Sequence, residues 1–407
     1  MNILLLAEVS AERVLGGAER VLRNQALGLA MMGHHVELLT RAPEHVSEGM
    51  LEMNGIREWR YSVSRKHEAA FLWSSVRRSV EQFDHLRATE PLDAVVIHQS
   101  LAGLGPILAR RHAASRWIYI CHSLAHEEYE TRQGATCSTL ASLRRQANLR
   151  ARRSVERAVM SRCHKVAVLS QFMRQRVIGA HDISVDRLAL IPGAVDPHAF
   201  MPLEDRLSIK AALNLPTNRT ILFTVRNLVP RMGLDNLLCA IEMLNRAQHK
   251  LMLVIGGEGP LHEQLQADIR RKRLRDVVRL IGFVPESQLS RYYQAADLVL
   301  MPSLQLEGFG LVMVEAMACG TPVLGTPVGA IPEILNQVDP ILVAEGVDGR
   351  SIGRALERVL RRLQEPGEAN RLANKGRALI ERRYNWKQHC NELLGLLDGP
   401  RQLRLAA

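Results

Sequence analysis

Residues 302–323 read Pro302-Ser303-Leu304-Gln305-Leu306-Glu307-Gly308-Phe309-Gly310-Leu311-Val312-Met313-Val314-Glu315-Ala316-Met317-Ala318-Cys319-Gly320-Thr321-Pro322-Val323. An apolar run, Ala295 to Met301, precedes them and reads as a buried strand. A loop then carries Glu307 into Gly308-Phe309-Gly310. From there Leu311, Val314, Glu315 and Ala318 recur at helical spacing. Gly320 is placed to end that helix, and Thr321-Pro322-Val323-Leu324 opens a further strand. Strand, glycine turn, helix and strand is the repeating unit of an α/β fold with a parallel sheet.

The same unit makes an anion site. The first N–H groups of a helix lack intrahelical partners, and the helix dipole adds partial positive charge where they point. Gly308 and Gly310 let the backbone of Phe309, Gly310 and Leu311 approach a diphosphate closely. Glu307 and Glu315 stand eight positions apart, which along a helix is roughly 12 Å. A carboxylate on each side of a phosphate cradle suits a ligand with a hydroxylated ring at each end, as in a nucleotide sugar.

The chain has 407 residues, enough for two α/β domains with separate cores. No apolar run approaches a membrane span, and Met1 to Leu6 lacks the basic start of a signal peptide and reads as a first strand. Cys121, Cys137, Cys163, Cys239, Cys319 and Cys390 are scattered without a Cys-x-x-Cys pair, which indicates neither a zinc site nor a disulfide framework. The expectation is a cytoplasmic, reduced protein. The net charge of +11 is spread over both halves and favours phosphate-rich ligands or an anionic membrane surface. Only 4% of residues are aromatic and no nucleic-acid module is recognisable, so nucleic acid is not an expected partner.

In chain order, Asn2 to Glu8 is a strand, followed by Gly16-Gly17-Ala18-Glu19-Arg20, an amphipathic helix to about Met32, and a strand from Val36 to Thr40. This is a doubly wound start, in which ligands bind at the carboxyl ends of the strands. Read alone, Gly16-Gly17 fits a plain helix-entry turn equally well. Ala94 to Ile97 and Trp117 to Cys121 are buried strands, ending in His98 and His122. A single histidine after a strand is more often structural than catalytic; two at the ends of two strands shift that balance. Residues 138–165 form a helical stretch dense in arginine: Arg144, Arg145, Arg150, Arg152, Arg153, Arg157 and Arg162. It is a candidate for contact with anionic lipid headgroups and equally fits a solvated helix face. Ser170 is placed to cap the next helix. A polar stretch to about Arg219 reads as a linker. Beyond it, Ile221 to Val225 leads into Arg226-Asn227-Leu228-Val229-Pro230-Arg231-Met232-Gly233. Leu251 to Ile255 leads into Gly256-Gly257, and Val278 to Ile281 into Gly282-Phe283-Val284. No Asp-x-Asp motif in a metal context and no ligand cluster is apparent, so a metal-independent reaction without cofactor is expected.

The string from Glu307 through Glu315, continued by Ala316 to Val323 and by Gly329, Pro332 and Glu333, resembles the signature of retaining GT-B glycosyltransferases of the group 1, family-four type. The resemblance spans essentially the whole chain and is densest from Arg226 to Glu333. It implies two Rossmann-like doubly wound domains facing a cleft. The acceptor-side domain would be 1–200 plus a terminal helix at about 384–400, and the nucleotide-sugar domain 201–383. It implies a nucleotide-diphosphate sugar as donor and a glycan or lipid-linked saccharide as acceptor, on the inner face of a membrane or free in the cytoplasm. Residue by residue, it assigns Arg226 and Arg231 to the diphosphate clamp, with Met232 standing where the family often has lysine. It assigns Glu307 to the donor sugar, Glu315 to the ribose, and His122 to the transferred sugar and acceptor. Gly16, Gly17, Gly257, Val284, Gly308, Phe309, Gly310 and Leu311 would line the donor. Two other functions share the fold: a nucleotide-sugar 2-epimerase, which takes no acceptor, and a non-catalytic nucleotide-sugar-binding protein, for which Met232 is the best support.

Overall fold

The structure is a computed structural model that describes residues 1–12, 16–89, 91–132, 139–203 and 205–398. The chain divides into two units. One is built from Met1–Gly193 and the segment beginning at Trp386, the other from Ala194–Asn385.

The first unit opens with β1 (Asn2–Ala7), α1 (Gly17–Met31), β2 (His35–Arg41), β3 (Gly49–Met53) and β4 (Ile56–Tyr61). It continues through α2 (Glu68–Thr89), β5 (Leu92–Ile97), α3 (Ser100–Ala109) and β6 (Ala114–Cys121). Then come α4 (Ala125–Arg132), α5 (Thr139–Met160), β7 (Lys165–Val168), α6 (Gln171–His181) and β8 (Leu188–Leu190). The strands form one sheet in the order β3-β4-β2-β1-β5-β6-β7-β8. All neighbours are parallel except β3 against β4. Parallel strands are covered on both faces, which is why Ile3 to Ala7 and Ala94 to Ile97 are apolar without alternation and wholly buried. The β3–β4 hairpin lies outside the sequence reading. Its signal was present: Asn54-Gly55 is the pair that a tight two-residue hairpin prefers, and both residues have positive φ, 51° and 77°.

In the second unit α7 (Arg206–Ala212) precedes β9 (Thr220–Val225), α8 (Leu234–Arg246), β10 (Leu251–Gly256), α9 (His262–Arg271) and β11 (Val278–Gly282). α10 (Glu286–Ala295), β12 (Leu298–Met301), α11 (Leu311–Ala318), β13 (Val323–Gly325), α12 (Ile331–Leu335), α13 (Gly349–Leu363) and α14 (Glu368–Arg383) follow. Its five parallel strands run in the order β11-β10-β9-β12-β13. α15 (Trp386–Leu397) returns to the first unit. Ser170 caps α6 by accepting from the Met173 N–H at 3.1 Å, as its position suggests. Gly320, at φ 72°, stands just past the end of α11, after Cys319, and its N–H donates to the Met317 carbonyl.

Two boundaries differ from the expected ones. The polar stretch before Arg219 is not a bare linker: α7 lies within it, held by Lys210, which pairs with Asp297 at 2.9 Å. Residues 194–200 belong to the second unit, where the Val195 N–H donates to the Tyr384 carbonyl at 2.9 Å.

Candidate functional site

In the second unit the strand order reverses between β9 and β12, the place where open parallel sheets leave a crevice at their carboxyl ends. Arg226 follows β9 and Ser303 to Gly310 follow β12, so the chemistry-bearing residues of two distant segments meet there. Arg226 is buried, and its Nη2 donates to both Ser303 Oγ and Glu307 Oε2. The Ser303 hydroxyl donates to the same Glu307 oxygen at 2.8 Å, and Arg226 Nη1 lies 3.3 Å from Met301 Sδ. Nε of Arg226 is buried and donates to nothing among the described residues. Burial pushes the Glu307 carboxyl up, but the Arg226 charge and hydrogen bond, the Ser303 hydroxyl and the Arg231 charge outweigh it and hold it below its usual range. The Glu307 carboxylate is thus held charged by its pair with Arg226 and by the nearby charge of Arg231.

The loops around this group are locked backbone to backbone. The Leu304 N–H donates to the Arg231 carbonyl at 2.8 Å, and the Ala330 N–H to the Glu307 carbonyl at 2.9 Å. Gly257, at φ 123°, passes so close to β9 that a Cβ there would sit 1.9 Å from the Arg226 carbonyl oxygen. At Gly329, φ 60°, a Cβ would meet the Glu307 carbonyl oxygen at 2.1 Å. Only glycine permits either approach. Glu307 is thus held through its carbonyl by the Ala330 N–H, and Arg226 through its N–H, which donates to the Gly256 carbonyl at 3.0 Å.

Met232 is buried, and Arg231, in the short 3-10 turn Pro230–Met232, supplies charge that reaches Glu307. The position where the family often has lysine is a core position in this chain. α11 starts at Leu311 with Gly310 before it at φ 86° and no capping side chain. Phe309 is buried edge-on against Tyr384, ring centroids 5.7 Å apart, and anchors the glycine turn. Val284 is buried beside Gly256, at the end of β10.

The picture of two glutamates spaced along one helix is corrected. Glu307 lies in the loop, where Leu306 and Gly310 both have positive φ, so the distance along a helix axis does not apply to the pair. Glu315 is on α11 but is only 1% exposed, and its Oε2 accepts from the Tyr293 hydroxyl at 2.8 Å. The structure brings Arg226, Arg231, Glu307, Gly257, Phe309 and Gly310 together and directs Glu315 into the core beneath them. A cavity of about 830 Å³ in this unit lies elsewhere, against the amino ends of β9, β10 and β12, with Arg206, Lys210, Arg219, Lys250 and Arg377 in its wall. It is at the opposite edge of the sheet from the ion pair.

In the first unit the order reverses between β1 and β5. His98 follows β5, His122 follows β6, and Gly16-Gly17 opens α1 after β1; residues 13–15 lie outside the described residues. The two histidine rings are nearly coplanar, 20° apart, with His98 Nδ1 3.0 Å from His122 Nε2. Burial pushes both imidazoles down, His122 to about 4, so both are neutral at pH 7.

Local spacing missed one cluster. His126, Glu156 and His181, from α4, α5 and α6, place ligand-type atoms within 4.8 Å of one another. Glu156 is committed internally: one oxygen accepts from the Ala125 N–H at 2.5 Å and the other lies 2.6 Å from His126 Nδ1. Burial raises the Glu156 carboxyl, and the bonds from His126, His181 and Ala125 bring it below its ordinary value. The arginines of the basic stretch, whose first residue 138 and Cys137 lie outside the described residues, are partly spent within the fold. Arg152 lies over the Tyr129 ring at 4.6 Å, Arg153 donates to the Ala180 carbonyl at 2.7 Å and Arg162 to the Ala158 carbonyl at 2.9 Å. Among the described residues, no helix is long and apolar enough to cross a membrane.

Comparison with known proteins follows this division. Residues 15–199 match the family described as Glycosyltransferase Family 4, and residues 205–379 match Glycosyl transferases group 1. The chain belongs to the glycosyltransferases of the group 1, family-four type. It is 23% identical over 407 residues to an uncharacterized glycosyltransferase of Methanocaldococcus jannaschii, covering 97% of each chain. It is 30% identical over 254 residues to a GDP-mannose-dependent alpha-(1-6)-phosphatidylinositol monomannoside mannosyltransferase of Mycobacterium tuberculosis, 61% of this chain and 65% of that one. The solved structure of sucrose-phosphate synthase from Thermosynechococcus elongatus superposes with a TM-score of 0.80 at 23% identity and 97% coverage of both. The fold is GT-B, and the protein is an enzyme of the glycosyltransferase type.

Proposed function

We propose that this enzyme is a retaining, metal-independent transferase that moves a sugar from a nucleotide-diphosphate sugar to a hydroxyl of a glycan or lipid-linked saccharide. The observation that carries the reading is the group at the ends of β9 and β12, where Arg226 pairs with Glu307 and the charge of Arg231 also acts on that carboxylate. The Nε of Arg226 is buried and donates to nothing among the described residues, so that guanidinium keeps a donor for an anion, and an Arg fork suits phosphate oxygens. The relative named for GDP-mannose supports a nucleotide sugar as the donor.

In the reaction, the bond from the anomeric carbon to the diphosphate oxygen breaks and the acceptor oxygen bonds to that carbon from the same face. The acceptor proton leaves on a diphosphate oxygen. Negative charge grows on the leaving diphosphate, and pre-placed donors that meet it lower the barrier without reorganising. Arg226, Arg231 and the uncapped amides at the start of α11 fill that role. Glu307 accepts from donor-sugar hydroxyls, and His122, neutral, accepts from a hydroxyl of the transferred sugar or acceptor. Glu315, whose Oε2 accepts from the Tyr293 hydroxyl, takes the ribose. Exposed Arg144, Arg150 and Arg157 on α5 make the same reading extend to an anionic lipid surface where a lipid-linked acceptor resides.

The test is transfer from UDP- and GDP-sugars to a panel of glycan and lipid-linked acceptors, with the product anomer read by proton NMR. The α-linked donors should give α-linked products. An inverted product, or a changed free nucleotide sugar without acceptor, would contradict the reading.

A further inference from the structure

The side chain of His122 is the visible end of a longer arrangement, all of it within the first unit. His98 Nδ1 lies 3.0 Å from His122 Nε2, and His98 Nε2 lies 2.9 Å from Gln25 Oε1 on α1. Gln25 Nε2 lies 2.7 Å from His389 Nε2 on α15, and His389 Nδ1 lies 2.7 Å from the carbonyl oxygen of Pro192. Gln25, His98 and His389 are 0%, 2% and 2% exposed, so water does not compete for these bonds. His122 alone is partly open to solvent.

One end of this chain has no choice of direction. A carbonyl oxygen only accepts, so His389 Nδ1 carries a proton and donates to Pro192. A neutral imidazole has one N–H, so His389 Nε2 accepts, and the group facing it is the amide N–H of Gln25. The Gln25 carbonyl then faces His98 Nε2, which must donate. That leaves His98 Nδ1 as an acceptor, and the only proton that can fill the 3.0 Å contact is on His122 Nε2. Neutrality of all three rings, which the direction requires, agrees with burial: it pushes His389 and His122 down to about 4 and His98 well below its usual value.

We propose that the chain Pro192–His389–Gln25–His98 fixes the tautomer of His122, with Nε2 protonated and Nδ1 bare, and that Gln25, His98 and His389 are positioning residues for the transfer step. The consequence rests on the transferase reading above: a bare Nδ1 accepts a hydrogen bond from a substrate hydroxyl, whereas the other tautomer would only donate. The helix that closes the first unit thus takes part in the chemistry through a proton arrangement rather than through contact with substrate. Its register matters because His389 sits one turn into α15.

Nitrogen-15 spectra of histidine-labelled full-length protein test this directly, with the His122 signals assigned by their loss in His122→Gln. The wild type should show His122 protonated at Nε2 alone. His98→Leu and His389→Leu should release it to populate both tautomers. His98→Gln, which can accept from His122 and donate to Gln25, should keep the wild-type pattern and serves where the leucine variants fail to fold. Release of nucleoside diphosphate from a donor that stabilises the protein should fall roughly tenfold or more in kcat in the leucine variants, with KM for the donor unchanged. A wild-type His122 protonated at Nδ1, or a tautomer unaltered by His389→Leu, overturns the proposal. A wild type without any turnover counts against the transferase reading, and the spectra still decide the tautomer.

Discussion

Replacing Glu307 with glutamine removes the negative charge that pairs with Arg226 while leaving an amide oxygen to accept from Arg226 and Ser303. The Arg226 side chain is 5% exposed and that of Glu307 12%, so water screens the pair weakly. Breaking a buried ion pair costs about 3–5 kcal/mol, chiefly because the remaining charge is left uncompensated. Hydrogen bonding by glutamine keeps the loss near the low end, about 3 kcal/mol. In a unit of this size each kcal/mol moves the melting temperature by about 2–4 °C, so Glu307→Gln should melt about 6–12 °C below the wild type. The same variant should gain more than the wild type from a nucleoside diphosphate lacking sugar, because the ligand restores the missing negative charge beside Arg226. Differential scanning fluorimetry with and without UDP or GDP reads both numbers. A Glu307→Gln protein that melts with the wild type and responds equally to nucleotide would refute the reasoning. The pH dependence has a defined sign. Because the folded Glu307 carboxyl lies below its ordinary 4.5, its contribution is full above that value and is lost as pH falls through the folded pKa.

Gly257→Ala should destabilise the second unit by more than the roughly 1–3 kcal/mol of a strained backbone conformation alone, because the added carbon strikes the Arg226 carbonyl. Its urea midpoint and its nucleotide response should fall together, and a neutral midpoint would contradict the close approach. Acid should act on the first unit through His389. Its pKa, pushed from 6.5 to about 4 by burial, means the unfolded chain binds the proton better, so its contribution is full above pH 6.5 and disappears towards pH 4. That is about 3 kcal/mol from this group, and His389→Gln should flatten the slope of stability against pH over that range.

The elements that could be read from the sequence are those whose signal is local. Parallel strands buried on both faces announce themselves as apolar runs, which is why β1, β5, β9 and β10 fall where the pattern puts them. Arg226, Arg231 and Glu307 lie in loops after such strands, and their roles came from the family resemblance of those loops. The pairing of Arg226 with Glu307 spans 81 positions, and that of Gln25 with His389 spans 364, so no spacing rule reaches either. Glu315 illustrates a different gap: helical periodicity placed it on α11 but could not say that Tyr293 takes one of its oxygens in the core. α7 escaped because a short polar helix carries little periodic signal, and its anchor, Asp297, lies 87 positions from Lys210. The hairpin of β3 and β4 had a local signal in Asn54-Gly55 that a search for buried strands passes over.

The central claim is a nucleotide-diphosphate sugar held where β9 and β12 end, and a thermal-shift panel of nucleoside diphosphates and nucleotide sugars tests it most directly. A ligand at a hundred times its dissociation constant adds roughly 2.7 kcal/mol. One nucleotide family should stabilise the wild type by a margin of that order, with the shift reduced in Arg231→Ala and in Glu315→Gln. A well-folded wild type that none of these ligands stabilises would contradict the donor site.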